Sequence, residues 1–134
     1  MAATEKMKIV LTHGCFDILH YGHLCHLRAA RRMGDLLVVS VTEDAYVNKG
    51  AGRPRFHLHQ RMQMLKELRI VDHVVASRAP TPDAVIIAIR PAIYVKGKEY
   101  IGKLPEEELV KSLGGYVRFT DEPVYSSTAL CESL

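Results

Sequence analysis

Short apolar runs recur along the chain at Ile9–Leu11, Leu36–Val41, Val74–Ala76, Ala92–Val95 and Tyr116–Phe119, the first of them rich in β-branched residues. Helical patterns lie between them, at Gly22–Met33, Leu58–Leu68, Pro82–Ile89 and Pro105–Leu113, and the residues from Ser127 predict a short fifth helix. Near-continuous apolar strands alternating with helices predict a parallel sheet buried on both faces. The expected fold is therefore α/β, a doubly wound, Rossmann-like sheet of five parallel strands with helices on both faces, in a single domain over residues 1–134. In such sheets ligands bind beyond the carboxyl ends of the strands at the switch point, where the loop after the first strand should meet Val95-Lys96-Gly97.

The candidate chemistry is concentrated in that first loop, Gly14-Cys15-Phe16-Asp17-Ile18-Leu19-His20-Tyr21-Gly22-His23. It spans a strand-to-helix junction. Backbone N–H groups in the first turn of a helix lack internal partners and lie at the positive end of the dipole, so they attract phosphate oxygens. Gly14 and Gly22 are expected to let a ligand approach the backbone, beside Cys15, Phe16 and Tyr21. His20 and His23, three residues apart, fall on one helix face and can donate N–H bonds to charge developing on a phosphoryl group. Taken singly, these features also fit a plain turn and satisfied core histidines. His13, His20, His23, Cys25 and His26 carry a zinc alternative, but no second ligand pair at finger or ribbon spacing follows them.

Three further segments add polar chemistry. Lys49-Gly50-Ala51-Gly52-Arg53-Pro54-Arg55 is a long basic, glycine-rich loop after Thr42-Glu43-Asp44, and it reads as a mobile lid or as a solvated turn. Lys49 on a lid can neutralise phosphate as it closes, and the guanidinium forks of Arg53 and Arg55 suit an acceptor phosphate. Asp17 and Asp44, on the loops after the first two strands, are assigned to the acceptor as well. Ser126-Ser127-Thr128 opens the last helix, where hydroxyls and free N–H groups make a second phosphate cradle or simply cap the helix.

A length of 134 residues is enough to bury a core without metal or disulfide support, and a formal charge of +3 suits small anionic partners. There are no lysine-arginine blocks with interleaved aromatics, which argues against nucleic acid. Cys15, Cys25 and Cys131 are odd in number, so reduced thiols in a cytoplasm are expected, and Cys15 is read as a small loop residue rather than a nucleophile. Met1-Ala-Ala-Thr-Glu-Lys-Met7 has no apolar core and no run reaches membrane-spanning length, so a soluble, unprocessed protein with no membrane partner is expected.

The first motif, together with Met33-Gly34-Asp35, Gln60-Arg61-Met62, Val71-Asp72-His73-Val74-Val75, Val95-Lys96-Gly97 and Ser126-Ser127-Thr128, resembles the cytidylyltransferase-like family of nucleotidyltransferases. The likeness runs from about Lys8 to Leu130. Within the family the chain is most similar to the adenylyltransferases of ADP-heptose synthesis, and next to the glycerol 3-phosphate cytidylyltransferases. The resemblance implies transfer of a nucleoside monophosphate from a triphosphate, ATP favoured, to a sugar phosphate such as D-glycero-D-manno-heptose 1-phosphate, with magnesium carried by the nucleotide and no protein metal ligand. It implies a catalytic His20, His23, Lys49 and Arg69, and nucleotide contacts from Arg61, Lys96, Gly97, Ser126, Ser127 and Thr128. Lys98-Glu99-Tyr100 and Thr81-Pro82-Asp83 resemble the heptose type. Thr120-Asp121-Glu122-Pro123-Val124-Tyr125 lacks the arginine that glycerol-type members place there. A homodimer, and a separate sugar kinase in the same pathway, are implied in the same way. The alternatives are CTP-dependent transfer to glycerol 3-phosphate or another alcohol phosphate or phosphonate, a non-catalytic nucleotide sensor, and an aminoacyl-tRNA synthetase relative. The short chain without a Lys-Met-Ser-Lys-Ser-like loop argues against the last.

Overall fold

A computed structural model of the chain describes residues 7–121. Five parallel strands, β1 (Ile9–Gly14), β2 (Leu36–Thr42), β3 (His73–Ser77), β4 (Ile93–Gly97) and β5 (Tyr116–Thr120), form one sheet in the order β3-β2-β1-β4-β5. Helices α1 (Tyr21–Arg31), α2 (Leu58–Lys66), α3 (Asp83–Ile89) and α4 (Glu107–Ser112) connect successive strands. The chain moves outward from β1 through β2 to β3, then crosses back to β4 and β5. The switch point therefore lies between β1 and β4, as expected.

The period-two alternation of the central strand divides the core. Val10 of β1 packs with Leu27 and Ala30 of α1 and Leu65 of α2, whereas Leu11 packs with Ile86 of α3 and Val110 of α4. Helices thus cover both faces. Gly34, in the Met33-Gly34-Asp35 turn, is required by crowding: a Cβ there would lie 2.6 Å from Val10 Cγ2 and 2.7 Å from the Lys8 carbonyl oxygen. At the same amino-terminal edge of the sheet, the Asp72 carboxylate accepts from the Leu37 amide at 2.8 Å and pairs with Arg31 at 3.3 Å.

Every strand runs further toward its carboxyl end than its apolar run does. β1 continues through Thr12, His13 and Gly14, β2 through Thr42, and β4 through Lys96 and Gly97. These polar residues remain in the sheet because their side chains find partners: the buried Thr12 hydroxyl donates to the Val95 carbonyl at 2.8 Å, and the His13 ring bonds Ser40 at 2.9 Å. The helices differ at their ends. α1 starts one residue before Gly22 and stops at Arg31 rather than Met33, α2 stops at Lys66, α3 starts after Pro82, and α4 is shorter than Pro105–Leu113 at both ends. Ser126, Ser127, Thr128 and the fifth helix lie outside the described residues.

Candidate active site

Loop, helix and strand ends converge on a cavity of about 230 Å³ beyond the carboxyl ends of β1 and β4. His13, Gly14, Cys15 and Phe16 bring the end of β1 to it, and His20, Gly22, His23 and His26 bring α1. Lys49 reaches it from the long loop, Lys96, Gly97, Glu99 and Tyr100 come from the end of β4, and Thr120 from β5.

The two motif histidines fix one another. His20 is the N-cap of α1, and its Nδ1 accepts the Gly22 amide at 3.1 Å. His23 Nδ1 accepts the amide of His20 at 3.3 Å. Because both Nδ1 atoms act as acceptors, each neutral ring carries its proton on Nε2. The rings stack with centroids 3.8 Å apart and planes inclined by 22°, and Phe16 packs against His23 at 5.3 Å. Phe16 adopts a left-handed φ of 51°, and Gly14 makes room for its ring, since a Cβ on Gly14 would lie 2.9 Å from Phe16 Cε2. Gly14 thus accommodates the aromatic side chain that supports His23.

Burial, and then Lys49, lowers the His20 pKa; burial, His20, Lys49 and His26 together lower that of His23 to about 3. Both rings are neutral N–H donors at neutral pH. The first turn of α1 holds no acidic residue, which leaves its positive end open to an anion.

His26 continues the three-residue spacing and closes the pocket floor. The Thr12 hydroxyl has one proton and gives it to Val95, so it accepts from His26 Nε2 at 2.9 Å, while His26 Nδ1 accepts from the Thr120 hydroxyl at 2.8 Å. One ring thereby ties α1 to β1 and β5. His13 is held similarly between Ser40 and Thr42, at 2.9 and 3.3 Å. Burial, reinforced by Lys96, lowers the pKa values of His13 and His26 to about 4 each. The Lys96 amine donates to the His13 carbonyl at 2.7 Å and lies 4.4 Å from the centre of the Tyr100 ring.

Several charged residues stand elsewhere than the sequence reading placed them. Arg61, expected on the nucleotide, is buried: its guanidinium donates to the carbonyls of Phe56 at 2.9 Å, Cys15 at 2.9 Å and Thr42 at 2.7 Å, and pairs with Asp44. Asp44, expected on the acceptor, is engaged by Arg61 and by His57 at 3.3 Å. Asp17, expected on the acceptor, is likewise engaged within the protein. It is buried, and it accepts from the amides of Arg55 at 2.8 Å and Phe56 at 2.9 Å and from the Arg53 guanidinium. Burial by itself would raise the carboxyls of Asp17 and Asp44, but these donors outweigh it and hold both below the usual carboxylate range.

Asp17 consequently anchors the rear of the long loop through Arg53 and the backbone of Arg55, and neither arginine lines the cavity. Lys49, ahead of that anchor, is exposed and faces the histidine pair. Arg69, expected to be catalytic, is exposed just before β3. α2 runs back across the sheet, so Arg69 lies at the amino-terminal edge, opposite the pocket. Tyr21 is exposed at the first position of α1 and does not line the cavity.

The Cys15 thiol is pushed up by burial against the pull of Arg61 and Lys49, which does not suit a thiolate nucleophile. Among the described residues no group of three or more His, Cys, Asp or Glu is placed to hold a metal ion. In place of a zinc cluster, His13 and His26 bond hydroxyls and His20 and His23 stack. Glu99, Tyr100 and Thr120 were not singled out for this site by the sequence, whereas His26 could have been, because it extends the 20, 23 spacing by one more turn. No helix among the described residues is long and apolar enough to cross a membrane.

The neutral histidines make acid stability a direct test of this geometry. Above pH 6.5 they are neutral in folded and unfolded chains alike; as pH falls, the unfolded chain takes up protons first, near 6.5, and the folded rings of His13 and His26 only near 4. Stability should be full above pH 6.5 and decline toward 4, with each ring removing about 1.4 kcal/mol per pH unit. Denaturant midpoints taken between pH 8 and 4 would show this, and a flat profile between 6.5 and 5 would contradict it.

The profile of the family described as cytidylyltransferase-like matches residues 11–131. The bifunctional protein HldE of Pseudomonas paraeruginosa is 44% identical over 130 residues, which covers 95% of this chain and 27% of that protein. The bifunctional protein HldE of Alcanivorax borkumensis is 43% identical over 123 residues, covering 90% of this chain and 26% of that protein. The chain thus spans about a quarter of the length of these curated relatives. Among solved structures, the lipopolysaccharide core biosynthesis protein from Thermoplasma volcanium GSS1 superimposes with a TM-score of 0.74 at 29% identity, covering 90% of this chain and 100% of that one. Pantoate-beta-alanine ligase from Francisella tularensis shares the fold, with a TM-score of 0.60 at 16% identity over 85% of this chain and 59% of its own.

Proposed function

From the premise that this chain belongs to the cytidylyltransferase-like family and is a nucleotidyltransferase, we propose that it transfers the nucleoside monophosphate of a triphosphate, ATP in preference to CTP, to a sugar phosphate of the heptose 1-phosphate type. The observation that carries this reading is the stacked His20–His23 pair, with both Nδ1 atoms engaged by backbone and both rings in the cavity at the start of α1.

An acceptor phosphate oxygen attacks the α-phosphorus in line with the departing pyrophosphate, and no covalent enzyme intermediate is needed. Chemistry of this kind rests on positioning and charge neutralisation. The Nε2–H groups of His20 and His23 donate to the phosphoryl oxygens, the amino-terminal end of α1 supports the charge, and Lys49 neutralises the phosphates when the loop closes over them. Because both rings are neutral, they stabilise developing charge without losing a proton. Lys96 and Gly97 serve the nucleoside side of the nucleotide.

Magnesium enters with the nucleotide as part of the substrate. Glu99 is the one carboxylate among the described lining residues, so phosphate oxygens and water would supply most of the metal's ligands, as suits this hard cation. The relatives of about four times this length are named bifunctional; a sugar kinase in the same pathway would supply the phosphorylated acceptor. We place the protein in the cytoplasm as a homodimer with small-molecule partners rather than nucleic acid.

Pyrophosphate release with magnesium, measured for ATP and CTP separately against heptose 1-phosphate, glycerol 3-phosphate and a panel of other phosphates, tests the substrate assignment. Release with ATP and heptose 1-phosphate is expected. Release with CTP alone would move the protein to the glycerol-type branch, and nucleotide binding without release across the panel would favour a sensor.

A further inference from the structure

The groups that face the pocket stand on two separate parts of the fold. His20 and His23 belong to the start of α1, whereas Lys96, Gly97 and Thr120 sit at the ends of β4 and β5. Leu27 and Ala30 hold α1 to the sheet through apolar contacts, which are non-directional and fix a helix along its axis less sharply than hydrogen bonds do. His26, one turn beyond His23, supplies hydrogen bonds across the gap. Its Nε2–H donates to the Thr12 hydroxyl at 2.9 Å, that hydroxyl donates to the Val95 carbonyl at 2.8 Å, and the Thr120 hydroxyl donates to His26 Nδ1 at 2.8 Å. A single imidazole on α1 is thus joined to β1, β4 and β5. Val95 is the register partner of Thr12, and Thr120 that of Gly97, so the link spans three neighbouring strands close to their carboxyl ends.

Resting on the reading that this pocket transfers a nucleotidyl group, we propose that His26 is a positioning residue for that reaction, setting the distance between the histidine pair on α1 and the strand ends across the pocket. Both of its ring nitrogens are engaged within the protein, so the ring lines the cavity without an N–H left to give to a phosphate. Burial, and then Lys96, keep the ring neutral, as acceptance at Nδ1 requires. The cap and the stacking that aim His20 and His23 are set within the first turn of α1 and do not pass through His26. Loss of His26 therefore leaves the pair aimed relative to the helix but able to shift, with the helix, relative to the sheet. In-line attack is sensitive to such a shift, since a misplacement of about 1 Å costs about a hundredfold in rate. Binding of the triphosphate is spread over many contacts and follows the shift at much smaller loss. The signature of this role is a fall in kcat with KM for the triphosphate little changed.

Steady-state pyrophosphate release by the full chain, with magnesium and the triphosphate and acceptor that support turnover, tests this in four variants. His26→Leu should lower kcat by about ten- to hundredfold, with KM for the triphosphate within about threefold of the unsubstituted value. His26→Gln, whose amide offers an acceptor and a donor side by side, should restore kcat to within about threefold. Thr12→Val separates positioning from direct contact, because Thr12 is fully buried and does not line the cavity. It should lower kcat by about threefold or more, and added to His26→Leu it should slow the enzyme no further, since both remove the same link. Circular dichroism at the assay temperature checks that each variant is folded; should His26→Leu not fold, Thr12→Val carries the same test of kcat against KM. Unchanged kcat in folded His26→Leu and Thr12→Val, equal losses in His26→Leu and His26→Gln, or multiplying losses in the double variant would each overturn the proposal. So would a rise in KM at constant kcat, because the ring would then be touching the nucleotide itself. Absence of release by the unsubstituted protein with every triphosphate and acceptor would instead overturn the transferase reading on which the proposal rests.

Discussion

Alanine in place of His23 is expected to lower kcat by two to three orders of magnitude, about the cost of removing one preorganised donor from an anionic transition state. His23 donates through Nε2 because its Nδ1 is held by the amide of His20, and its ring also supports the stacked His20 ring at 3.8 Å. The substitution therefore removes one donor and releases the orientation of a second. Loss of half of the cap should cost about 1 kcal/mol of stability, small enough to leave the fold intact. Kinetics at saturating substrates, with circular dichroism as a check on folding, separate the two effects, and an unchanged kcat would remove His23 from the chemistry.

Arg61→Met is expected to destabilise the protein by about 3–5 kcal/mol, the usual consequence of deleting one partner from a buried charged network. The Arg61 side chain is 0% exposed and gathers the carbonyls of Phe56, Cys15 and Thr42 under the first loop. Methionine fills much of the volume but leaves three carbonyl acceptors without a donor. Arg61→Lys should rescue little, since one ammonium cannot reproduce the planar fork that reaches acceptors on three segments. Denaturant unfolding gives the magnitude. A change of less than 1 kcal/mol in Arg61→Met would show that the network is dispensable.

The contrast between these two residues marks where a linear reading works. His20 and His23 are legible because their roles are local: the cap, the stacking and the aim of both rings are set within four residues of one helix start. Arg61 and Asp17 are equally conspicuous in the sequence, yet a charged side chain announces only that it needs a partner. Arg61 finds acceptors at Cys15 and Thr42, and Asp17 finds donors at Arg53, Arg55 and Phe56. Both were read toward ligand because the long-range pairing that engages them is invisible in a string.

Topology accounts for the remaining differences. Arg69 closely follows α2 and precedes β3; a helix that starts at the carboxyl edge of a parallel sheet and returns to the start of the next strand leaves its end at the opposite edge, a consequence already implicit in the expected fold. Glu99 and Thr120 reach the pocket only because β4 and β5 lie beside β1. The apolar centres of all five strands were legible from composition. Their carboxyl ends were not, because Thr12, His13 and Lys96 are polar residues that remain buried or half-buried only through hydrogen bonds to neighbouring elements.

The central claim is that the histidine pair promotes attack at the α-phosphorus. Reaction of the protein with ATP labelled on the α- or the γ-phosphorus, in the presence of magnesium and a sugar 1-phosphate, tests it most directly. The expected result is α-label in the sugar nucleotide and γ-label in pyrophosphate, both lost together in His23→Ala. Label from the γ-position on the sugar, or as inorganic phosphate, would contradict the account.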